Sequence, residues 1–264
     1  MTDARGLQLR QLTKTYASGG RVVEALAPTD LDVEAGEFVC LLGASGCGKS
    51  TLLGLVSGLD APTAGTVTVG GVPVNGPSPE RVLLFQEAAL FPWLTVEANV
   101  AFGLRQTTLP RAEQQRIARE WIDRVHLRGF ERAYVHQLSG GMRQRAALAR
   151  ALATDPSMLL MDEPFGALDA LTRDRLHEEL ESLWAATRKT VLFVTHNVRE
   201  AVALGDRVLV LSPRPGRIVG DFRIDLPRPR SLEDVTVMRQ AADIMTVLRR
   251  ALAETAPDDT LLEA

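Results

Sequence analysis

Gly43-Ala-Ser-Gly-Cys-Gly-Lys-Ser-Thr51 is the stretch that decides the fold of this chain. It follows the pattern G-x-x-x-x-G-K-[ST], in which a glycine-rich turn joins a buried strand to the start of a helix. Residues 38–42 are four hydrophobic residues and one thiol, which predict the strand. The apolar-rich run over residues 50–56 predicts the helix, which we expect to stop at Gly58.

A turn of this kind favours an anion, because unpaired backbone N–H groups and the positive end of the helix dipole meet there. The glycines at 43, 46 and 48 let the backbone pass close to phosphate oxygens, where a Cβ would obstruct it. The pattern predicts that Lys49 reaches the β- and γ-phosphates of a nucleotide and that Ser50 binds Mg²⁺. The alternative is an ordinary glycine-rich turn between a strand and a helix.

Composition limits the possible classes of protein. With 264 residues, 45% hydrophobic and 24% charged, the chain can bury a substantial core. A net charge of −3 gives no general attraction to nucleic acid or to an acidic membrane. The two cysteines are too few for a disulfide framework or a zinc site and suit a reducing cytosol. We expect no signal peptide and no membrane-spanning run, so a role at a membrane requires a partner.

Polar residues follow three further runs that predict buried strands. Gln86 comes after residues 82–85, Asp162 and Glu163 after residues 158–161, and His196 after residues 191–194. Ligands bind at the carboxyl ends of the strands in open α/β sheets, so we expect these side chains to share one edge with the glycine-rich loop. Asp162 would hold Mg²⁺ through water and Glu163 would polarise an attacking water. The alternatives are solvated strand ends and a structural histidine.

Residues 87–154 show helical periodicity and few signs of strands. We predict helices over Val96–Leu104, residues 111–125 and residues 143–154. Ser139, Gly140 and Gly141, just before the third, resemble a second anion-binding helix start. An ordinary helix cap with flexible glycines is the alternative.

The rest of the chain predicts mostly short elements. Leu7, Leu9 and Leu12 indicate a first strand that is followed by a polar turn over residues 14–20, and Pro28 separates two short strands over 22–26 and 31–33. Further strands are predicted over 66–69 and 207–211, and further helices over 172–186, 198–204 and 234–252, before a frayed acidic tail over 254–264. The ring of Tyr16 could stack on a base or pack on its own sheet.

Together and in this order, these motifs resemble the ATP-binding-cassette (ABC) ATPase family across at least residues 7–212. The resemblance implies an α/β fold, namely a P-loop NTPase with a mixed RecA-like sheet core, an N-terminal antiparallel β part and an inserted α-helical subdomain. It implies one ABC domain over residues 1–264. In that division residues 1–86 and 155–212 form the nucleotide-binding core, residues 87–154 the helical signature subdomain, and residues 213–264 a C-terminal extension.

The resemblance also implies the site residues. Tyr16 would stack on adenine, and Glu163, His196 and Gln86 would be the catalytic residues. Ser50, Gln86 and Asp162 would bind Mg²⁺. The other nucleotide-binding residues would lie in three segments. The Walker A loop would contribute Gly43, Ala44, Ser45, Gly46, Cys47, Gly48, Lys49, Ser50 and Thr51. The signature segment would contribute Ser139, Gly140, Gly141 and Met142, and the D-loop would contribute Asp169. Asn197 departs from the family pattern, because many members have an acid after the switch histidine.

Within the family, residues 85–104, 163–173 and 225–230 resemble the import ATPases for nitrate, sulfonate and taurine. This implies an ATP-hydrolysing energy-coupling subunit that uses ATP and Mg²⁺ and forms a head-to-tail homodimer. It would dock on integral membrane permease subunits at the cytoplasmic face of the inner membrane, with Gln86 and residues 87–94, including Phe91 and Trp93, as the candidate contact surface. The alternative for these two aromatic residues is packing in a local core. A periplasmic or lipoprotein solute-binding protein would act through the permease, and nucleic acid would not be a partner.

Two other classes stay open at this stage. An ABC ATPase that acts on nucleic acid would interrupt the cassette with a coiled coil or a zinc module, and no such heptad run or cysteine cluster is present in the sequence. A ribosome-acting ABC factor carries two cassettes, whereas this chain has one. Within the transport class, an importer and an exporter are not distinguished, and the solute is not determined.

Overall fold

The structure is a computed structural model that describes residues 2–18, 21–166 and 168–253. The predicted tail over 254–264, Ala167 and the end of the predicted turn at Gly20 lie outside these residues. The strands within the described part are β1 Leu7–Ser18, β2 Arg21–Val33, β3 Phe38–Leu42, β4 Ala64–Val69, β5 Val72–Pro73, β6 Arg81–Leu84, β7 Met158–Asp162, β8 Thr190–Thr195, β9 Arg207–Leu211 and β10 Ile218–Arg223. The α-helices are α1 Lys49–Ser57, α2 Val96–Val100, α3 Arg111–Arg124, α4 Gly140–Ala153, α5 Ala170–Thr187, α6 Val198–Leu204 and α7 Val235–Ala253.

The central sheet has six strands in the order β10-β9-β3-β8-β7-β6. Strands β3, β6, β7, β8 and β9 are parallel, and β10 runs antiparallel to β9. All residues of β3 and β8 are buried, because α5 and α6 pack on one face of the sheet, while α1 and the antiparallel strands β1, β2 and β4 pack on the other. This explains why these strands read as continuous apolar runs. The P-loop NTPase fold that the sequence predicted is confirmed.

The antiparallel part is a second sheet in the order β2-β1-β4-β5. Two predictions about it were wrong. The segment after Lys14 is no polar turn, because β1 continues to Ser18 and pairs with β2 over this length. Residues 22–26 and 31–33 are parts of one strand, β2, which passes through Pro28. Strand β2 lies at the edge of its sheet, where the missing N–H of a proline removes no ladder hydrogen bond.

The helical lobe has a separate core between α2, α3 and α4. Ile122 and Val125 are fully buried there. The prediction of one helix over Val96–Leu104 was wrong, because α2 ends at Val100 and a 3₁₀ turn follows over Gly103–Gln106. At this break, a Cβ on Gly103 would lie 2.4 Å from a methyl of Thr154, so the backbone of the turn packs directly against the end of α4.

The chain after residue 212 continues the central sheet through β10, which we did not predict. The amphipathic helix α7 was predicted, and its apolar face, with Val237 and Ile244, joins the core beneath α6 and β9. Arg230 holds the connecting segment in place by donating to the carbonyl oxygen of Val202 at 2.9 Å. The division of the chain at residues 86, 154 and 212 stays a prediction. In the described residues no helix combines the length and the hydropathy needed to cross a bilayer.

Candidate active site

Strand register places the predicted site residues along one edge of the central sheet. Leu41 of β3 pairs with Val194 of β8, and Val194 pairs with Asp162 of β7. The three strands are parallel, so the residues that follow them leave the sheet at the same level. The glycine-rich loop, the segment after Asp162 and the segment after Thr195 therefore meet at the carboxyl edge.

Glycine is required at the end of the phosphate loop. Gly48 has a φ of 99° immediately before α1, and a Cβ there would lie 2.7 Å from the carbonyl oxygen of Ala25 in β2. Gly46 has a φ of 77°. Gly43 has no room either, because an added Cβ would lie 2.7 Å from the Sγ of Cys47. The loop thus forms a compact cradle of backbone at the N-terminus of α1, as phosphate binding requires.

Lys49 lies inside this cradle and is only 5% exposed. Its Nζ donates to the carbonyl oxygens of Gly43 and Ala44, both at 2.8 Å. A positive charge is thereby held within the loop, while Ser50 at the start of α1 is exposed to solvent. Burial raises the pKa of the neighbouring Cys47 thiol, and the Lys49 ammonium offsets part of this effect. Cys47 is therefore a neutral packing residue of the loop.

The backbone changes conformation between the two acids at the end of β7. Asp162 is the last residue of the strand, whereas Glu163 has a φ of 44°, in the left-handed region that few residues other than glycine adopt. Oε2 of Glu163 lies 2.9 Å from Nδ1 of His196, which is largely exposed at the end of β8. The predicted pair of a carboxylate and a histidine at this edge is therefore in direct contact.

Gln86 is close to the same pair although its strand lies at the edge of the sheet. Gly166 has no side chain, and a Cβ at that position would lie 3.4 Å from Nε2 of Gln86 and 3.7 Å from Oε2 of Glu163. The backbone of Gln86 is held from the helical lobe, because Gln144 of α4 donates to its carbonyl oxygen at 2.8 Å. Gln86, which follows β6 of the central sheet, is thus tied to the helical lobe.

The signature segment begins α4 three residues earlier than predicted. Ser139 is the N-cap, and its Oγ accepts from the backbone N–H of Met142 at 3.3 Å. Gly141 packs so closely on α5 that a Cβ would lie 2.5 Å from a methyl of Thr172. The segment lies on the helical lobe and, among the described residues, none of its hydrogen bonds reaches the phosphate loop.

Asp169 caps α5 next to this segment. Its carboxylate accepts from the backbone N–H of Thr172 at 3.0 Å, and this hydrogen bond lowers the pKa of Asp169. The side chain of Asp169 therefore has a structural role as the N-cap of α5.

Tyr16 lies towards the far end of β1 and is 40% exposed. Its hydroxyl donates to Oδ2 of Asp60 at 2.8 Å, and Nζ of Lys14 lies 4.8 Å from the ring centroid. Burial and the hydrogen bond to Asp60 raise the pKa of Tyr16, so the phenol stays neutral. The ring is held at its hydroxyl end and keeps an accessible face, which is compatible with stacking on a base.

Sequence reasoning missed two residues that support these groups. Asp60 fixes Tyr16, and the guanidinium of Arg214 lies against the outside of the phosphate loop, with Nε and Nη2 each 3.3 Å from the carbonyl oxygen of Gly46. Both contacts join residues far apart in the chain. No local pattern in the sequence signals them, since only the folded sheet brings the segments together.

The residues fit a nucleotide with Mg²⁺. The glycines of the cradle leave room that a Cβ would fill, and Lys49 supplies the charge complementary to a phosphate. Ser50, Asp162 and Gln86 carry a hydroxyl, a carboxylate and an amide, the oxygen donors that Mg²⁺ prefers when phosphate and water complete its shell. Among the described residues, no group of three or more His, Cys, Asp or Glu side chains is placed so that it could hold a metal ion.

Comparison with known proteins identifies the family. The profile of the family described as ABC transporter matches residues 26–166, which is more than half of the chain. This chain belongs to the ABC transporter family. The predicted ATP-binding-cassette ATPase is thus confirmed at the level of the family.

Individual relatives of this cassette carry more specific names. The chain is 52% identical over 219 residues to the taurine import ATP-binding protein TauB of Burkholderia pseudomallei, covering 83% of this chain and 84% of that protein. It is 48% identical over 221 residues to the nitrate import ATP-binding protein NrtD of Synechocystis sp., covering 84% and 83%.

A solved structure shares the fold. The dimeric post-hydrolysis state of the ATP-binding cassette MJ0796 bound to ADP and Pi aligns with a TM-score of 0.74 and 32% identity, covering 84% of this chain and all of that one. That relative is a dimer with hydrolysis products bound. For the present chain, the similarity supports the same class of fold and chemistry.

Proposed function

We propose that this chain is the ATP-hydrolysing energy-coupling subunit of an ABC importer for a small anion such as taurine, an alkanesulfonate or nitrate. The observation that carries the hydrolytic part is the contact between Glu163 and His196, 2.9 Å apart at the strand edge that also bears the phosphate loop. The solute class rests on the relatives at about 50% identity, which are named for taurine and nitrate import.

The chain's own residues divide the work of binding. Backbone N–H groups of residues 43–51 surround the β- and γ-phosphates, and Lys49 exchanges its loop carbonyls for phosphate oxygens. Tyr16 offers its exposed face to the adenine. Ser50, Asp162 and Gln86 would hold Mg²⁺, which would supply charge neutralisation for the phosphates.

Hydrolysis requires a base and a stabilised phosphate. Glu163 accepts a proton from the attacking water, and His196 holds the carboxylate in place from its Nδ1 side. The side chain of His196 is 65% exposed, so its other nitrogen is accessible to the γ-phosphate. These groups share one edge and need no large rearrangement relative to one another.

A single chain leaves this arrangement open on one side, because Ser139–Met142 lie on the helical lobe. In a head-to-tail homodimer, the N-terminus of α4 in the partner subunit would close over the γ-phosphate. Loss of that charge on hydrolysis would weaken the closure, which converts chemistry into motion of the two subunits.

The permease would dock near Gln86 at the cytoplasmic face of the membrane, where this chain is a peripheral subunit. Trp93 is 70% exposed on the helical lobe, and Phe85 is 48% exposed. Phe91 packs locally, since its ring lies 4.3 Å from that of Phe102. Trp93 and Phe85 are therefore available to a permease helix, and Phe91 supports Trp93, with the two ring centroids 5.5 Å apart. A solute-binding protein would deliver the anion to the permease.

Replacing Glu163 with glutamine tests this function. Glutamine keeps the size of the side chain and a hydrogen-bonding atom for His196 but cannot accept the proton, so we expect turnover to fall roughly 10²- to 10⁴-fold. ATP binding should persist and should hold the variant as a dimer in size-exclusion chromatography with Mg·ATP. An unchanged rate of hydrolysis would show that Glu163 is not the base. A variant that stays monomeric with Mg·ATP would argue against the ATP-closed dimer.

The transported solute needs a separate experiment. Deletion of the gene should abolish growth on the imported anion as a sulfur or nitrogen source, and a plasmid copy of the wild-type chain should restore it. A plasmid copy of Glu163→Gln is the matched control and should not restore growth. Normal growth of the deletion strain on taurine, alkanesulfonates and nitrate would refute the proposed solute class.

A further inference from the structure

A cluster of buried polar side chains lies directly behind the Glu163–His196 contact. It consists of Thr195 at the end of β8, Glu200 in α6 and His177 in α5, which are 2%, 5% and 5% exposed. None of the three is among the residues that the sequence motifs assign to nucleotide or metal.

Glu200 fixes the residues on both sides of His196. Its Oε2 accepts from the hydroxyl of Thr195, and the same hydroxyl oxygen accepts from the backbone N–H of Asn197 at 3.0 Å. Asn197 is also the N-cap of α6, where its Oδ1 accepts from the N–H of Arg199 at 3.0 Å. The short turn that carries His196 is therefore bound at its first and last residue to the helix that contains Glu200.

His177 connects this carboxylate to the loop that carries Glu163. Its Nε2 is hydrogen-bonded to Oε1 of Glu200. On the other side its ring meets the edge of Phe165, with the ring centroids 5.3 Å apart, and Phe165 follows Glu163 by two residues. The Nδ1 of His177 is buried and has no hydrogen-bond partner among the described residues, so Glu200 is the contact that orients the ring.

We propose that Glu200 and His177 form a positioning pair that sets the place of His196 relative to Glu163. This inference rests on the proposed function, because it assigns the pair a role in the same hydrolysis. An apolar side chain would fill the space of Glu200 without the desolvation of a carboxylate, so a purely packing role does not explain the residue. The two carboxylate oxygens of Glu200 bind two different partners, His177 and Thr195, and so fix the orientation of both side chains, which packing alone does not.

The test compares variants that remove the hydrogen bonds with variants that keep them. Thr195→Val keeps the shape of the side chain but removes the hydroxyl. Glu200→Gln replaces one acceptor oxygen with an NH₂ group, so it can accept from only one of the two donors, Thr195 and His177. We expect kcat for ATP hydrolysis to fall roughly 10- to 100-fold in each, the effect of misplacing a reacting group by about 1 Å. KM should stay within about threefold, since neither residue lies in the phosphate loop.

Two further variants separate positioning from folding. Thr195→Ser keeps the hydroxyl and should restore most of the activity, and Arg199→Ala, at an exposed position of the same helix, should behave as the wild type. The double variant Thr195→Val/Glu200→Gln should be no slower than the slower single variant, because both changes break one network. Each rate is divided by the concentration of sites that bind a fluorescent ADP analogue, so that unfolded protein does not lower the apparent kcat.

Three results would overturn the inference: kcat per binding site unchanged in Thr195→Val and Glu200→Gln, additive losses in the double variant, or no recovery in Thr195→Ser. The wild-type chain in the same assay tests the proposed function independently. If it fails to hydrolyse ATP, that function is refuted and this inference with it. If it hydrolyses ATP while the variants match it, only the inference fails.

Discussion

Gly48→Ala is expected to disrupt nucleotide binding through one steric contact. The φ of Gly48 is 99°, and an added Cβ would lie 2.7 Å from the carbonyl oxygen of Ala25. Gly71 provides a matched control, because it has a φ of 78° but a Cβ there would meet nothing within 4 Å. The two variants therefore share the backbone strain and differ in the clash.

The magnitudes follow from these two terms. Left-handed backbone costs an alanine about 1–2 kcal/mol, which applies to both variants. The contact with Ala25 forces the loop or β2 to move, and overpacking of this kind costs a further ~1–3 kcal/mol. We expect Gly71→Ala to lose about 1–2 kcal/mol of unfolding free energy and Gly48→Ala about 2–5 kcal/mol. The displaced N–H groups should weaken ATP binding at least about tenfold, equal to 1.4 kcal/mol.

Urea unfolding and a titration with a fluorescent ATP analogue measure both quantities. Gly71→Ala should bind the analogue like the wild type. Equal losses of stability in the two variants would refute the steric argument. Unchanged affinity in a folded Gly48→Ala would refute the assignment of residues 43–51 as the phosphate site.

Two other predictions concern the shared site and the response to acid. Lys49→Ala and Ser139→Ala should each lose ATPase activity, and mixing them should restore part of it because a mixed dimer contains one intact composite site; a mixture that stays inactive would argue against sharing between chains. Burial opposes the ionisation of Asp155, but the hydrogen bonds from the buried Lys189, at 2.8 Å, and from the backbone N–H of Thr2 together outweigh it and lower the pKa of Asp155 below its usual 3.8. Its stabilising effect is therefore complete above about pH 4 and is lost as the pH falls through the lowered pKa. Asp155→Asn should reduce the unfolding free energy by about 1–3 kcal/mol at pH 7 and flatten the acid limb of a stability–pH profile; a parallel limb in the variant would contradict this.

Local patterns were sufficient wherever an element depends on its own residues. The sequence predicted β3, α1, α6 and β9 almost to the residue, since buried apolar runs and glycine stops are local signals. It predicted that Asp162, Glu163 and His196 meet at one edge, because parallel strands end together. The family resemblance then supplied the roles that the residues alone left open.

Prediction failed where a neighbour in space decided the conformation. Pro28 looked like a strand boundary, yet pairing with β1 continues past it because β2 is an edge strand. Strand β10 contains Gly220, and apolar and polar residues alternate only weakly along its sequence. Its pairing with β9 is what makes it a strand. The helix predicted over Val96–Leu104 breaks where Gly103 meets Thr154.

The sequence by itself determined the glycine-rich loop between β3 and α1, the order of the predicted site motifs and the family, because each is a property of neighbouring residues and their spacing. Only the tertiary structure decided that His177, Thr195 and Glu200 form one buried network and that Arg214 lies against Gly46. Such contacts join separate segments, and their geometry depends on how sheets and helices pack. A hydrogen bond across that packing leaves no periodic or local trace in the chain.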